Sequence, residues 1–205
     1  MTFGTAIDIE AALLRLGKKL VYDYAEPISL VVCGGSALNV LNIANRTTTD
    51  VDVLAIVEEG EGCIRLRHDK PLPENLCTLV AEVGRDLRLQ EHWLNMGPKT
   101  VLDVWGVPQG MTDRWERREY GPSLIVYFVG RQDQVHFKLL AAADPSADPK
   151  HLEDLAERIQ PTEAELRLAI SWLLDRDHTT SWIRNNVKQV VKALGYDDIA
   201  QDIPA

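Results

Sequence analysis

No stretch of this chain approaches the roughly 18 consecutive apolar residues that a membrane-spanning helix needs. Its clearest apolar runs, 30–33 and 124–129, have the length of buried strands. The opening Met1-Thr2-Phe3-Gly4-Thr5 lacks the basic and apolar regions of a secretory signal, so the cytoplasm is the expected location, with no membrane partner. Cysteine is scarce: Cys33, Cys63 and Cys77 are odd in number and lack CxxC spacing. That argues for reduced thiols and against a disulfide framework or a structural zinc site. His68, His92, His136, His151 and His178 do not fall at metal-ligand spacing. The dinucleotide fingerprint GxGxxG, the P-loop GK[ST] and the hydrolase elbow GxSxG are all missing, which excludes those routes to cofactor binding and catalysis. Positive charge is also short, with 22 Lys and Arg against 31 Asp and Glu and a net charge of −9. Such a chain is a poor general binder of polyanions, so a phosphate substrate requires a local basic patch or a bridging cation.

What is present suffices for a core. The chain has 205 residues, 45% of them hydrophobic, and folding at this size buries about 70% of the unfolded chain's surface. Ile9, Leu13, Leu16 and Leu20 recur at helical spacing and predict a helix over 7–21, with Asp8 and Glu10 near its positive end. After Pro27, residues 28–33 read as a buried strand closed by Gly34-Gly35-Ser36, followed by a short helix over 37–44. Residues 51–57 read as a second strand, 58–70 as a charged loop, and 73–89 as a helix opening at a proline. Two more strands are expected at 100–105 and 124–129, with a helix over 133–143. From Asp144 a turn-rich joint precedes a purely helical region: 150–158, an element capped by Thr162, and 181–194. The expected architecture is an α/β (α+β) domain over 1–145 and a helical C-terminal part over 146–205. Trp172 and Trp182 are expected in the core of the helical part, and Arg114, Arg117 and Arg118 on a solvated surface.

Two short segments carry the chemistry. The pair Gly34-Gly35 between strand and helix removes side chains from the turn, so backbone N–H groups can approach an anion, and the Ser36 hydroxyl can add a donor. Taken alone, the same residues describe an ordinary tight turn. After Ser36 and thirteen intervening residues come Asp50 and Asp52, at i and i+2 around a strand start. Residues so spaced point to one face, with Cα atoms roughly 6.5–7 Å apart. Two carboxylates there repel unless a cation lies between them, and hard oxygen donors suit Mg²⁺. Turn and acid pair together place an anion cradle and a metal site on neighbouring strand ends.

Gly34-Gly35-Ser36 followed by Asp50-Val51-Asp52-Val53 resembles the signature of the polymerase-β-like nucleotidyltransferase superfamily. The fuller run, Gly34 to Leu38 with Arg46, Thr48, Asp50 and Asp52, is similar to the AbiEii-like branch, toxin halves of abortive-infection toxin–antitoxin pairs, and its minimal stand-alone relatives. A later block, His136-Phe137-Lys138-Leu139-Leu140-Ala141-Ala142 and then Lys150 to Leu155, resembles that branch's late motif. The resemblance implies the nucleotidyltransferase fold, a small mixed sheet flanked by helices. It further implies transfer of a nucleoside monophosphate from an NTP to a hydroxyl, with Mg²⁺ or Mn²⁺ as cofactor. The acceptor would be RNA, such as a tRNA end, and a cognate antitoxin would be the partner. In that frame Gly34, Gly35 and Ser36 contact phosphate, Asp50 and Asp52 hold the metal, Lys138 neutralises the triphosphate, and Asp154 is the late acidic partner. The chain departs from the pattern in one respect: 124–129 carries no acid where the superfamily has a third carboxylate, and Asp103 and Asp133 are the available substitutes. His151 stands where the branch often has an acid. A nucleotide-binding module with reduced catalysis, and a modifier of small molecules of the aminoglycoside kind, are the alternatives on the same fold.

Overall fold

The helical spacing of Ile9, Leu13, Leu16 and Leu20 produces α1 (Ala6–Tyr22), whose buried face is made of those residues. Its start is fixed by a capping box in which Thr5 and Asp8 exchange side-chain and backbone hydrogen bonds. The computed structural model describes residues 2–23, 25–60, 63–144, 146, 148–176 and 179–204; His178 lies outside them. Two units emerge, Met1–Gly106 with Met111–Gly130, and Val107–Gly110 with Arg131–Ala205.

In the first unit α1 is followed by β1 (Ile28–Cys33), α2 (Gly34–Val40), β2 (Val51–Gly60), β3 (Cys63–Arg67), α3 (Glu74–Leu87), β4 (Leu94–Asn95), α4 (Lys99–Trp105), β5 (Glu116–Glu119) and β6 (Leu124–Phe128). The sheet runs β3-β2-β1-β6-β5, with β4 pairing β2 off that path. β1 is antiparallel to β2 and parallel to β6, so the sheet is mixed. One sheet face, with Leu30, Val32, Val53, Val126 and Phe128, packs on the apolar faces of α1 and α3. Contact is close enough that Gly17 of α1 lies on the Tyr120 carbonyl, leaving no room for a side chain.

Several elements differ from the sequence reading. Residues 100–105, β-branched enough to resemble a strand, lie in α4, which starts after Pro98 and stops at Gly106 with φ +66°. Those two punctuating residues outweigh strand propensity. In the charged segment 58–70, read as a loop, β2 runs on to Gly60 and pairs antiparallel with β3. Arg65 and Arg67 of β3 and the charges of β5 sit on the two outer strands of the sheet, where they discourage edge-to-edge pairing.

The second unit contains α5 (Arg131–Ala142), α6 (Lys150–Glu153) running into a π-helical turn at Asp154–Ile159, α7 (Glu163–Leu174), α8 (Ser181–Ala193) and α9 (Asp197–Asp202). The joint near Asp144 therefore lies inside this unit, whose main segment begins at Arg131. The reason is packing: His136 and Phe137 of α5 stack edge-on against Trp172 of α7, and Arg131 bonds Glu165. Trp172 is buried as expected, whereas Trp182 is exposed near the start of α8. Among the described residues, no helix is long and apolar enough to cross a membrane.

Candidate functional site

β1 ends at Cys33, whose cross-strand partner on β2 is Asp52. The next residue, Gly34, adopts φ +72°, in the left-handed region where L side chains are strained. A Cβ built there would lie 2.5 Å from Oδ2 of Asp52. Backbone angle and available space thus both demand glycine, and the turn backbone sits against the Asp52 carboxylate. A Cβ on Gly35 would collide with the Arg46 guanidinium and lie 3.1 Å from Thr48 Oγ1.

The loop bearing Arg46, Thr48 and Asp50 is tied back by Asn39 of α2. Its Nδ2 donates to the Arg46 carbonyl at 2.6 Å, and its Oδ1 accepts from the Arg46 N–H at 3.1 Å. Thr48 exchanges backbone hydrogen bonds with Phe3 at 2.8 and 3.1 Å, and its hydroxyl lies 3.5 Å from Asp50 Oδ1. Asp50 and Asp52 are half-buried, at the loop end and the second position of β2. Ser36 is fully buried, and its hydroxyl donates to the Cys33 carbonyl at 3.3 Å, a bond that closes the turn.

Asn95 and Gly97 complete the surroundings of Asp52. Asn95 on β4 is its other cross-strand partner, and Asn95 Oδ1 accepts the Gly97 N–H at 2.7 Å. A Cβ built on Gly97 would lie 2.9 Å from Asn95 Oδ1 and 4.0 Å from Asp52 Oδ1. Backbone free of side chains therefore flanks this carboxylate on two sides. The only local signal for this was the turn-forming run Asn95-Met96-Gly97-Pro98.

Asp50 and Asp52 are hard oxygen donors, the kind a divalent cation such as Mg²⁺ takes. Among the described residues no group of three or more His, Cys, Asp or Glu side chains could hold a metal. The possible third acids have their own surroundings. Asp103 binds His68 at 3.0 Å, and Asp133 is fully buried in the first turn of α5. β6 supplies none, and Glu116, opposite Phe128 on β5, is held by Arg118 at 2.5 Å.

Lys138 and Asp154 belong to the second unit and meet there. Lys138 Nζ lies 2.7 Å from Asp154 Oδ2, with side-chain exposures of 5% and 0%. Arg158, one helical turn on, binds Asp154 Oδ1 at 3.1 Å. His151 Nδ1 is 3.5 Å from Lys138 Nζ. Burial first, then the neighbouring ammonium groups of Lys138 and Lys150, push the His151 imidazole down to about 4, so at neutral pH it is uncharged. Within the first unit the structure groups Gly34, Gly35, Asp50 and Asp52, and within the second it joins Lys138 to Asp154. Comparison with protein-family models, curated proteins and solved structures finds no match to this chain.

Proposed function

We propose that this chain is a metal-dependent nucleotidyltransferase, moving a nucleoside monophosphate from an NTP to a hydroxyl acceptor, with an RNA or tRNA end as the acceptor class and a cognate antitoxin as partner. The observation that carries the reading is the contact between the Gly34 turn and the Asp52 carboxylate, with Asp50 close by. In this reading Asp50 and Asp52 would hold Mg²⁺ or Mn²⁺, which when bound neutralises phosphate charge and lowers the pKa of a coordinated hydroxyl. The backbone N–H groups of Gly34 and Gly35 orient the phosphates, and Ser36 keeps the turn closed. The acceptor oxygen forms a bond to the α-phosphorus as the bond to pyrophosphate breaks, and the hydroxyl proton passes to solvent. Positioning and electrostatics supply most of the acceleration in such transfers. The proposal rests on the first unit alone.

A second reading, a binding module of the same fold with little or no turnover, is favoured by one observation: β6 offers no third carboxylate. The two are separated by supplying NTPs labelled at the α- or the γ-phosphate with a cellular RNA pool. Transfer predicts that α-label alone enters RNA, that chelation with EDTA stops it, and that added Mg²⁺ or Mn²⁺ restores it. Metal-dependent NTP binding without label in any acceptor pool would favour the module. Incorporation indifferent to EDTA would rule out the metal-dependent reading.

A further inference from the structure

β1 and β2 lead to Gly34 and Asp52 at one end and part at the other. They pair from Cys33 and Asp52 back to Leu30 and Ile56 and no further. Beyond that point Ile28 and Ser29 follow β6, while Val57 and Glu58 follow β3. Ser29 lies five residues before Gly34, roughly 16 Å along an extended strand. A cavity of about 610 Å³ opens at this fork, a size suited to a small molecule. Leu20 of α1, Ile28, Ile56, Leu76 of α3 and Ile125 give it aliphatic walls.

Arg67 supplies the positive charge on the lining. It stands opposite Ile56, and Glu58 is two residues on along the same face of β2. Glu58 accordingly holds Arg67 Nε at 2.6 Å, and the Arg67 side chain is only 17% exposed. Among the described residues its two Nη groups have no partner. The same holds for the half-buried Ser29 hydroxyl, the Asn75 amide nitrogen and the Glu26 carboxylate on the exposed rim. A guanidinium fixed through Nε presents a planar pair of N–H donors, the shape that grips a carboxylate.

We propose that this cavity binds a large apolar α-amino acid. The ligand's carboxylate meets the Nη edge of Arg67, with Ser29 and Asn75 as further donors. Its ammonium group faces Glu26, and its side chain lies against the aliphatic walls. Charge selects the zwitterion over either half. Glu26 and Glu58 set against Arg67 leave the lining with an excess of one negative charge, which a bare carboxylate would enlarge. An amine without a carboxylate answers Glu26 but leaves the guanidinium donors unmatched.

Calorimetric titration of the full chain with L-phenylalanine, and with hydrocinnamate and phenethylamine as its two halves, tests this. L-phenylalanine is expected to bind with a submillimolar Kd. Phenethylamine should bind at least about tenfold more weakly, because it forgoes the hydrogen bonds to a charged group. Arg67→Met should weaken L-phenylalanine and hydrocinnamate by about tenfold or more, spare phenethylamine, and leave the circular dichroism spectrum unchanged. Glu26→Gln, at an exposed position that folding does not depend on, should weaken L-phenylalanine several-fold and hydrocinnamate not at all. No binding of L-phenylalanine at millimolar concentration overturns the proposal. An affinity for it that neither Arg67→Met nor Glu26→Gln changes, or phenethylamine binding as tightly as the amino acid, overturns it equally.

Discussion

The Gly34→Ala chain is expected to show the proposed nucleotide transfer about 100-fold more slowly than the wild type, or worse, while losing only about 1–2 kcal/mol of stability. The stability cost comes from φ +72°, which an L residue adopts against steric strain. The rate loss has another source. The added methyl would sit 2.5 Å from Asp52 Oδ2, so either the carboxylate swings away or the turn backbone retreats, and both displace the groups that meet the phosphates. Misplacement by about 1 Å is enough for a hundredfold effect in a reaction governed by positioning. Asp52→Asn separates the two contributions. It keeps the shape and removes the charge, so transfer should fall at least as far while the urea midpoint stays near that of the wild type. Steady-state rates with a fixed acceptor, paired with urea unfolding, provide both readouts. Wild-type rates from Gly34→Ala would show that the turn is structural only.

The second large effect is on stability. Lys138→Met removes the ammonium from Oδ2 of the buried Asp154 and leaves the Arg158 guanidinium on Oδ1. Removing one member of a buried pair costs about 3–5 kcal/mol because the other charge is left in a medium of low polarity. The Arg158 contact places the expected loss near the lower end of that range. Replacing both partners, Lys138→Met with Asp154→Leu, should recover most of it, since two apolar groups of similar size pack where two charges had to be desolvated. Urea unfolding of the single and double variants forms the test. A double variant as unstable as the single one would mean that the pair holds a wider network together.

How much of this was legible in the sequence depends on the range of the interactions involved. β1 has the bounds expected from its apolar run, and α1 those expected from its heptad-like face to within a residue, because each is decided by neighbours along the chain. β5 and β3 were not, since short charged edge strands form through pairing with partners that their own composition does not announce. β4 is an extreme case, two residues held by β2, yet it brings Asn95 beside Asp52. The same distinction applies to the site. Strand alternation led to the expectation that Asp50 and Asp52 share a side, and the glycine pair marked the turn. What could not be read was that Ser36 faces the Cys33 carbonyl, or that Lys138 is buried on Asp154, 16 positions away. Helical spacing alone gives a lysine like Lys138 no reason to leave the surface. Its burial is decided by packing within the second unit.

Manganese titration followed by amide NMR reports on the carboxylate pair without any knowledge of nucleotide or acceptor. The paramagnetic ion should bleach the signals of Cys33, Gly34, Gly35, Asp52 and Asn95 first and leave them untouched in the Asp50→Asn/Asp52→Asn double variant. Uniform broadening, or bleaching that survives in the double variant, would contradict a divalent-cation site on these two carboxylates.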